Sequence, residues 1–132
     1  MQLQAPYLLF IGDAKDELSI KMAKGVADWR PEQCIGEYSV EGCSVTTGLA
    51  AVSISSAAEK GAKSLVLGFA NSGGFLEAKW VPFIIEAIEN GLDIISGLHQ
   101  KLSSYPEIVA AAEKHQVNLH DIRHPESTFK TD

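Results

Sequence analysis

Tyr7-Leu8-Leu9-Phe10-Ile11, Ser64-Leu65-Val66-Leu67-Gly68-Phe69 and Leu92-Asp93-Ile94-Ile95 are short apolar runs of strand length, with helix-length segments between the strands. A strand with one wet face alternates polar and apolar residues, whereas a strand buried on both faces is apolar throughout. Such runs therefore specify a parallel sheet with helices on both sides. Cys34–Val40 is a weaker strand candidate because Gly36 interrupts it, and Val117–Ile122 is the last. The expected fold is α/β, a Rossmann-like three-layer sandwich around a mostly parallel five-stranded sheet. Right-handed crossovers would then bring the carboxyl ends of the strands to one edge, where ligands of such folds bind.

The helices show in the spacing. Leu18, Met22, Val26 and Trp29 make one helical stripe, closed by Pro31. Glu41–Ser55 is small, polar and glycine-containing, which predicts a surface excursion. Ser56-Ala57-Ala58-Glu59 has the spacing of a capping box, and Gly61 stops that short helix. Val81, Ile84, Ile85 and Ile88 share the inward face of the next helix, which ends at Gly91. Ser104-Tyr105-Pro106-Glu107 supplies a capping serine, an early proline and a glutamate for the last helix, with Ile108, Ala111, Ala112 and His115 inward.

At 132 residues, 45% hydrophobic and 21% charged, the chain can bury a single-domain core without disulfides or metal. Residues 1–125 are expected to be the Rossmann-like domain and residues 126–132 the start of a linker. A formal charge of −6 without any basic block argues against nucleic acid or an anionic membrane as partner. Cys34 and Cys43 have neither CxxC nor zinc-ligand spacing and are expected to be free thiols. With no secretory leader pattern and no apolar run approaching the roughly 20 residues that span a bilayer, the expected location is cytoplasmic.

The candidate binding residues follow the strands. Gly12 and Asp13 leave the first strand, where a dinucleotide fold would carry GxGxxG, but the next glycine is Gly25, inside the predicted helix. Asp13 could bind a ligand or cap the helix. Asn71, Ser72, Gly73 and Gly74 form a turn with little side-chain bulk, whose main-chain N–H groups could meet a phosphate or carboxylate. Ser96 and Gly97 exit the next strand, and His99 behind them could transfer a proton near neutral pH. Arg123 and His124 follow the last strand, adding a guanidinium suited to bidentate anion contact and a second imidazole. His115 and His120 are expected to be structural. No serine nucleophile with a dedicated base, carboxylate pair or metal-ligand cluster is legible, so no metal is expected.

Pro6–Ala14, Asp28–Glu32, Ala70–Gly74, Trp80-Val81-Pro82, Gly91–His99 and Asp121–Pro125 together resemble the N-terminal domain of a two-domain prokaryotic family. The resemblance covers nearly the whole chain in order, and its GLDIISGLH and DIRHP segments are specific. Members of that family pair a Rossmann-like half with a C-terminal half of P-loop type, and some are D-glutamate N-acetyltransferases that use acetyl-CoA. The resemblance implies acetyl-CoA as substrate of a longer parent protein, a P-loop-type domain and a small amino acid as partners, and no activity in this portion alone. His99 and His124 are then the candidate catalytic bases. Residues 82–91 and the apolar strand behind them are also similar to the CoA-binding domain of succinyl-CoA synthetase. A non-catalytic module for dimerisation or docking, possible as a homo-oligomer, and the nucleotide-binding domain of an oxidoreductase stand as alternatives.

Overall fold

The structure is a computed structural model that describes residues 3–16, 18–69, 75–98 and 100–122. Nine principal elements alternate: β1 (Tyr7–Gly12), α1 (Lys21–Trp29), β2 (Cys34–Ser39), α2 (Ile54–Glu59), β3 (Ser64–Leu67), α3 (Val81–Glu89), β4 (Asp93–Ser96), α4 (Pro106–His115) and β5 (Leu119–Asp121). The sheet has five strands in the order β2-β1-β3-β4-β5, and every pair is parallel. Tyr7 lies beside Ser64, Ser64 beside Asp93, and Ile94 beside Leu119.

Burial on both faces explains the unbroken apolar run of β1. Leu8 and Phe10 point into a large core shared with α2, α3 and α4, whereas Leu9 and Ile11 point into a smaller core beneath α1. All four are fully buried. β2 forms in spite of Gly36, and that glycine has a use there. A Cβ on it would stand 2.5 Å from the carbonyl oxygen of Ala50, so the bare backbone lets residues 50–52 pass close by.

The stretch 41–53 is less of a surface excursion than its composition predicts. Glu37 is buried, and its carboxylate accepts hydrogen bonds from the Thr46 hydroxyl at 2.8 Å and the Thr47 N–H at 2.7 Å. The Glu37 N–H donates to Ala50 O, and Val52 N–H donates back to Glu37 O. Val52 is buried, while Val45 and Leu49 pack against the smaller core.

Three helix details differ from the sequence reading. Ala23 and Ala27 form the inward face of α1, with Ile20 of the preceding 3-10 turn Leu18–Ile20 beside them, while Leu18 and Trp29 are 78% and 80% exposed. The cause is close approach. A Cβ on Gly68 would lie 2.5 Å from that of Ala23, and Ala23 N–H donates to Gly68 O, so α1 sits too near the end of β3 for bulky inward side chains. Met22 and Val26 only flank the contact.

The cap of α2 is Ser53, whose hydroxyl accepts from the N–H of Ser56, one turn before the expected serine. Burial of Ile54 and Ala57 fixes that frame. Ser104 does not cap α4 either. It closes a 3-10 turn, Tyr105 occupies the cap position, and Pro106 starts the helix. Tyr105 is held by its hydroxyl, which donates to Leu76 O at 2.6 Å.

His120 is buried on β5 with Nε2 3.8 Å from the Asp93 carboxylate, in keeping with a structural position. Cys34 and Cys43 are free thiols, and burial first, then Glu32, pushes the Cys34 thiol above its ordinary pKa. Among the described residues no helix is long and apolar enough to cross a membrane.

Gly68→Ala is expected to lower the unfolding free energy by about 1 to 3 kcal/mol, the usual cost of forcing a methyl into a packed contact. Urea unfolding of the two proteins side by side measures it. An unchanged midpoint would mean that α1 is not seated as described.

Candidate functional site

All five strands are parallel, so their carboxyl ends share an edge, and the order β2-β1-β3 places the reversal of chain direction across the sheet between β1 and β3. The exit of β1 is shaped by an aromatic side chain distant in sequence. Gly12 turns with φ +60°, and a Cβ there would lie 3.1 Å from the indole ring of Trp80. Trp80 ends the 3-10 turn Ala78–Trp80 that leads into α3, and its ring lies 5.4 Å from both Phe10 and Phe69.

Asp13, next in the chain, is paired rather than capping. Its carboxylate lies 3.1 Å from the Lys79 ammonium, which also sits 4.8 Å above the Trp80 ring. α1 itself has no side-chain cap; Asp16 instead caps the 3-10 turn Leu18–Ile20 before it, its carboxylate accepting from the N–H of Ser19 at 2.8 Å and from its hydroxyl at 2.9 Å. Those bonds, the backbone one foremost, hold the Asp16 carboxyl below the ordinary value of 3.8. Lys15 is turned the other way and donates to Gly42 O, tying the β1 exit to the stretch after β2.

Between these groups lies a crevice of about 240 Å³, bounded by Asp13, Lys15 and Asp16 on the β1 side and by Phe69, Glu77 and Trp80 on the other. Three carboxylates and the Lys15 ammonium line it, and Lys79 beside it lies 3.1 Å from Asp13 and 3.9 Å from Glu77, which leaves the described surroundings with a net negative charge. Trp80 is 3% exposed, and its indole N–H has no hydrogen-bond partner among the described residues. That is a buried donor beside a cavity.

Of the residues expected at this edge, Gly12 and Asp13 border the crevice or its rim. Ser96 is fully buried at the end of β4, and its hydroxyl accepts from Leu98 N–H at 3.1 Å, shaping the exit turn. Gly97 lies where a Cβ would come within 2.8 Å of the Met22 sulfur, so it makes room for α1. Asn71, Ser72, Gly73, Gly74, His99, Arg123 and His124 lie outside the described residues. The sequence gives no roles to Lys79 and Glu77, and Trp80 enters it only through the family resemblance. The Asp13–Lys79 pair spans 66 positions, and no local pattern announces such a contact.

The sheet order and the crevice at its reversal point define a Rossmann-like α/β domain. Residues 33–125 match the family described as DUF1611_N, a Rossmann-like domain of unknown function, and the chain belongs to that family. It is similar to a D-glutamate N-acetyltransferase of Pseudoalteromonas sp, with 62% identity over 99% of this chain and 40% of the relative. A D-glutamate N-acetyltransferase of Tritonibacter scottomollicae is 43% identical over 93% of this chain and 37% of the relative. The chain thus spans about two fifths of the length of these curated relatives.

Among solved structures, a DUF1611 family protein from Anabaena variabilis superposes with a TM-score of 0.71 at 19% identity, covering 91% of this chain and 37% of that one. Homoserine dehydrogenase from S. aureus superposes with a TM-score of 0.55 at 10% identity, over 91% and 33% of the two chains. At these identities the likeness is one of fold.

The depressed Asp16 carboxyl carries a pH dependence. A group with lowered folded-state pKa contributes stability above its unfolded value and loses it as pH falls through the folded one. Asp16→Ala should therefore lower the melting temperature at about pH 6, and the gap to wild type should close toward about pH 2. Thermal unfolding across that range measures it, and a gap independent of pH would remove the carboxylate from the cap.

Proposed function

We propose that this chain is the N-terminal, Rossmann-like portion of a D-amino-acid N-acetyltransferase acting on D-glutamate, and that it helps to hold the substrates rather than turning them over by itself. The observation that carries this reading is the 62% identity, over 99% of the chain, to a protein named D-glutamate N-acetyltransferase. The remainder of the parent protein, of P-loop type on the family resemblance, completes the site.

Acyl transfer from acetyl-CoA needs a neutral amine beside the thioester carbonyl, a base for the ammonium proton and donors for the oxyanion. His99 or His124 is assigned the base, and the main chain at Gly73 and Gly74 the donors. Arg123, with Asn71 and Ser72, is assigned to a substrate carboxylate. The described crevice fits the amino acid better than the phosphates of CoA. Its walls carry the carboxylates of Asp13, Asp16 and Glu77 against Lys15 and the nearby Lys79; Asp13 and Glu77 share Lys79, so the described surroundings keep a net negative charge that suits an incoming ammonium better than a phosphate.

An oxidoreductase role has less support. Of the three glycines in a dinucleotide fingerprint, only the turn at Gly12 has a counterpart, since Gly25 lies within α1.

Residues 1–132 alone are expected to give no N-acetylation of D-glutamate, while the parent protein acetylates D-glutamate in preference to L-glutamate. A coupled assay for released CoA measures both, and turnover by the short chain would refute the division of labour. In the parent, His99→Ala or Arg123→Ala should lower kcat/KM by roughly tenfold to a hundredfold, as expected for one lost charge-assisted hydrogen bond, with the melting temperature retained. Unchanged kinetics in both would favour a docking module.

A further inference from the structure

The two faces of the sheet are unequally covered. Among the described residues α2, α3 and α4 pack on one face, and α1 is the one helix on the other. Strands lie about 4.8 Å apart and a helix with its side chains is about 10 Å wide, so one helix shields roughly two strands. The stretch after β2 adds Cys43, Val45 and Leu49 to the cover of that face, but part of it beside α1 stays open. Beside α1 there is a groove of about 540 Å³ with Val66 of β3 and Ile95 of β4 at its floor, Val26 and Trp29 of α1 on one wall, and Ile122 at the end of β5.

A glycine inside α1 carries the argument further. Gly25 weakens its own helix, since glycine is the poorest helix former after proline. Nothing within the described structure requires it, because a Cβ there would meet no atom within 4 Å. It opens onto the groove, between Met22 one turn before and Trp29 one turn after. A bare position on a helix flanked by apolar side chains admits close approach of another backbone. Arg30 and Gln33 lie at one end and give the apolar floor a polar rim, the arrangement of an interface.

We infer that this groove seats an apolar helix face supplied by the parent polypeptide beyond residue 132, packed against α1 at Gly25. Ile122, directly after β5, lines the groove. An occupant in the same polypeptide binds in an intramolecular step, without the concentration dependence of a separate chain. The two curated relatives have more than half of their length outside the matched stretch, ample to supply a helix. The inference needs the longer parent of the proposed function but none of its chemistry, and its test reads stability, so the two can fail separately.

The experiment compares Gly25→Leu in residues 1–132 and in a graft where these residues replace the matching stretch of the Pseudoalteromonas enzyme. In the short chain the leucine enters open space and removes a helix-weakening glycine, so the melting temperature should rise by a few degrees. In the graft the same side chain fills the seat, so the melting temperature should fall. A rise in both would overturn the inference. So would a short chain that sediments as a dimer and becomes monomeric on Gly25→Leu, since the occupant would then be a second copy. A measurement without any variant guards against a graft that tolerates no change. Amide hydrogen exchange across α1 should slow at least tenfold in the unmutated graft relative to the short chain, and equal rates would again overturn it.

Discussion

The ring of Phe10 joins β1 and β2 to the exit of β3 and to the start of α3. It projects from β1 and lies 5.6 Å from Tyr38 on β2, 5.6 Å from Phe69 beyond β3, 5.4 Å from Trp80 and 5.6 Å from Phe83 on α3. Aromatic pairs at these separations, several of them tilted or edge-on, add to the burial of large apolar surface. The cluster therefore fixes how the start of α3 stands over the carboxyl end of β1. Moving Phe10 would move Trp80, and with it the wall of the crevice and the lysine above the indole.

That dependence links core packing to the proposed chemistry. Gly12 can turn under the indole because it lacks a side chain, and Asp13 is thereby delivered to Lys79. Asp16 then ties the start of the following 3-10 turn through Ser19. A run of five residues at one strand end thus has three distinct attachments: to the 3-10 turn before α3, to the entry of α1, and, through Lys15, to the stretch after β2. These attachments define the β1 side of the crevice.

The strands and the parallel topology were legible because burial on both faces leaves β1, β3 and β4 apolar without alternation. The inward face of α1 was not. Large residues at helical spacing dominate a periodicity argument, whereas the contact is made by Ala23 and Ala27 against a glycine on a distant strand. Capping serines were misplaced by one turn at α2 because Ser53 and Ser56 are chemically equal candidates, and only the burial of Ile54 distinguishes them. The edge at the strand ends was readable from topology alone. Its ion pair was not, since Asp13 and Lys79 belong to units that meet only after the sheet has formed.

The passage of residues 50–52 beside Gly36 has a consequence for solubility. β2 is an outer strand, and an outer strand presents unpaired N–H and C=O groups to any other extended chain. Here the Glu37 N–H and carbonyl are taken by Ala50 and Val52, and a parallel bridge joins Glu37 to Ala51. The buried Glu37 carboxylate fastens Thr46 and Thr47 just upstream, so the covering segment is anchored at its near end. A glycine too small to exclude that segment, and a glutamate placed to hold it, together shield this margin of the sheet from templating aggregation.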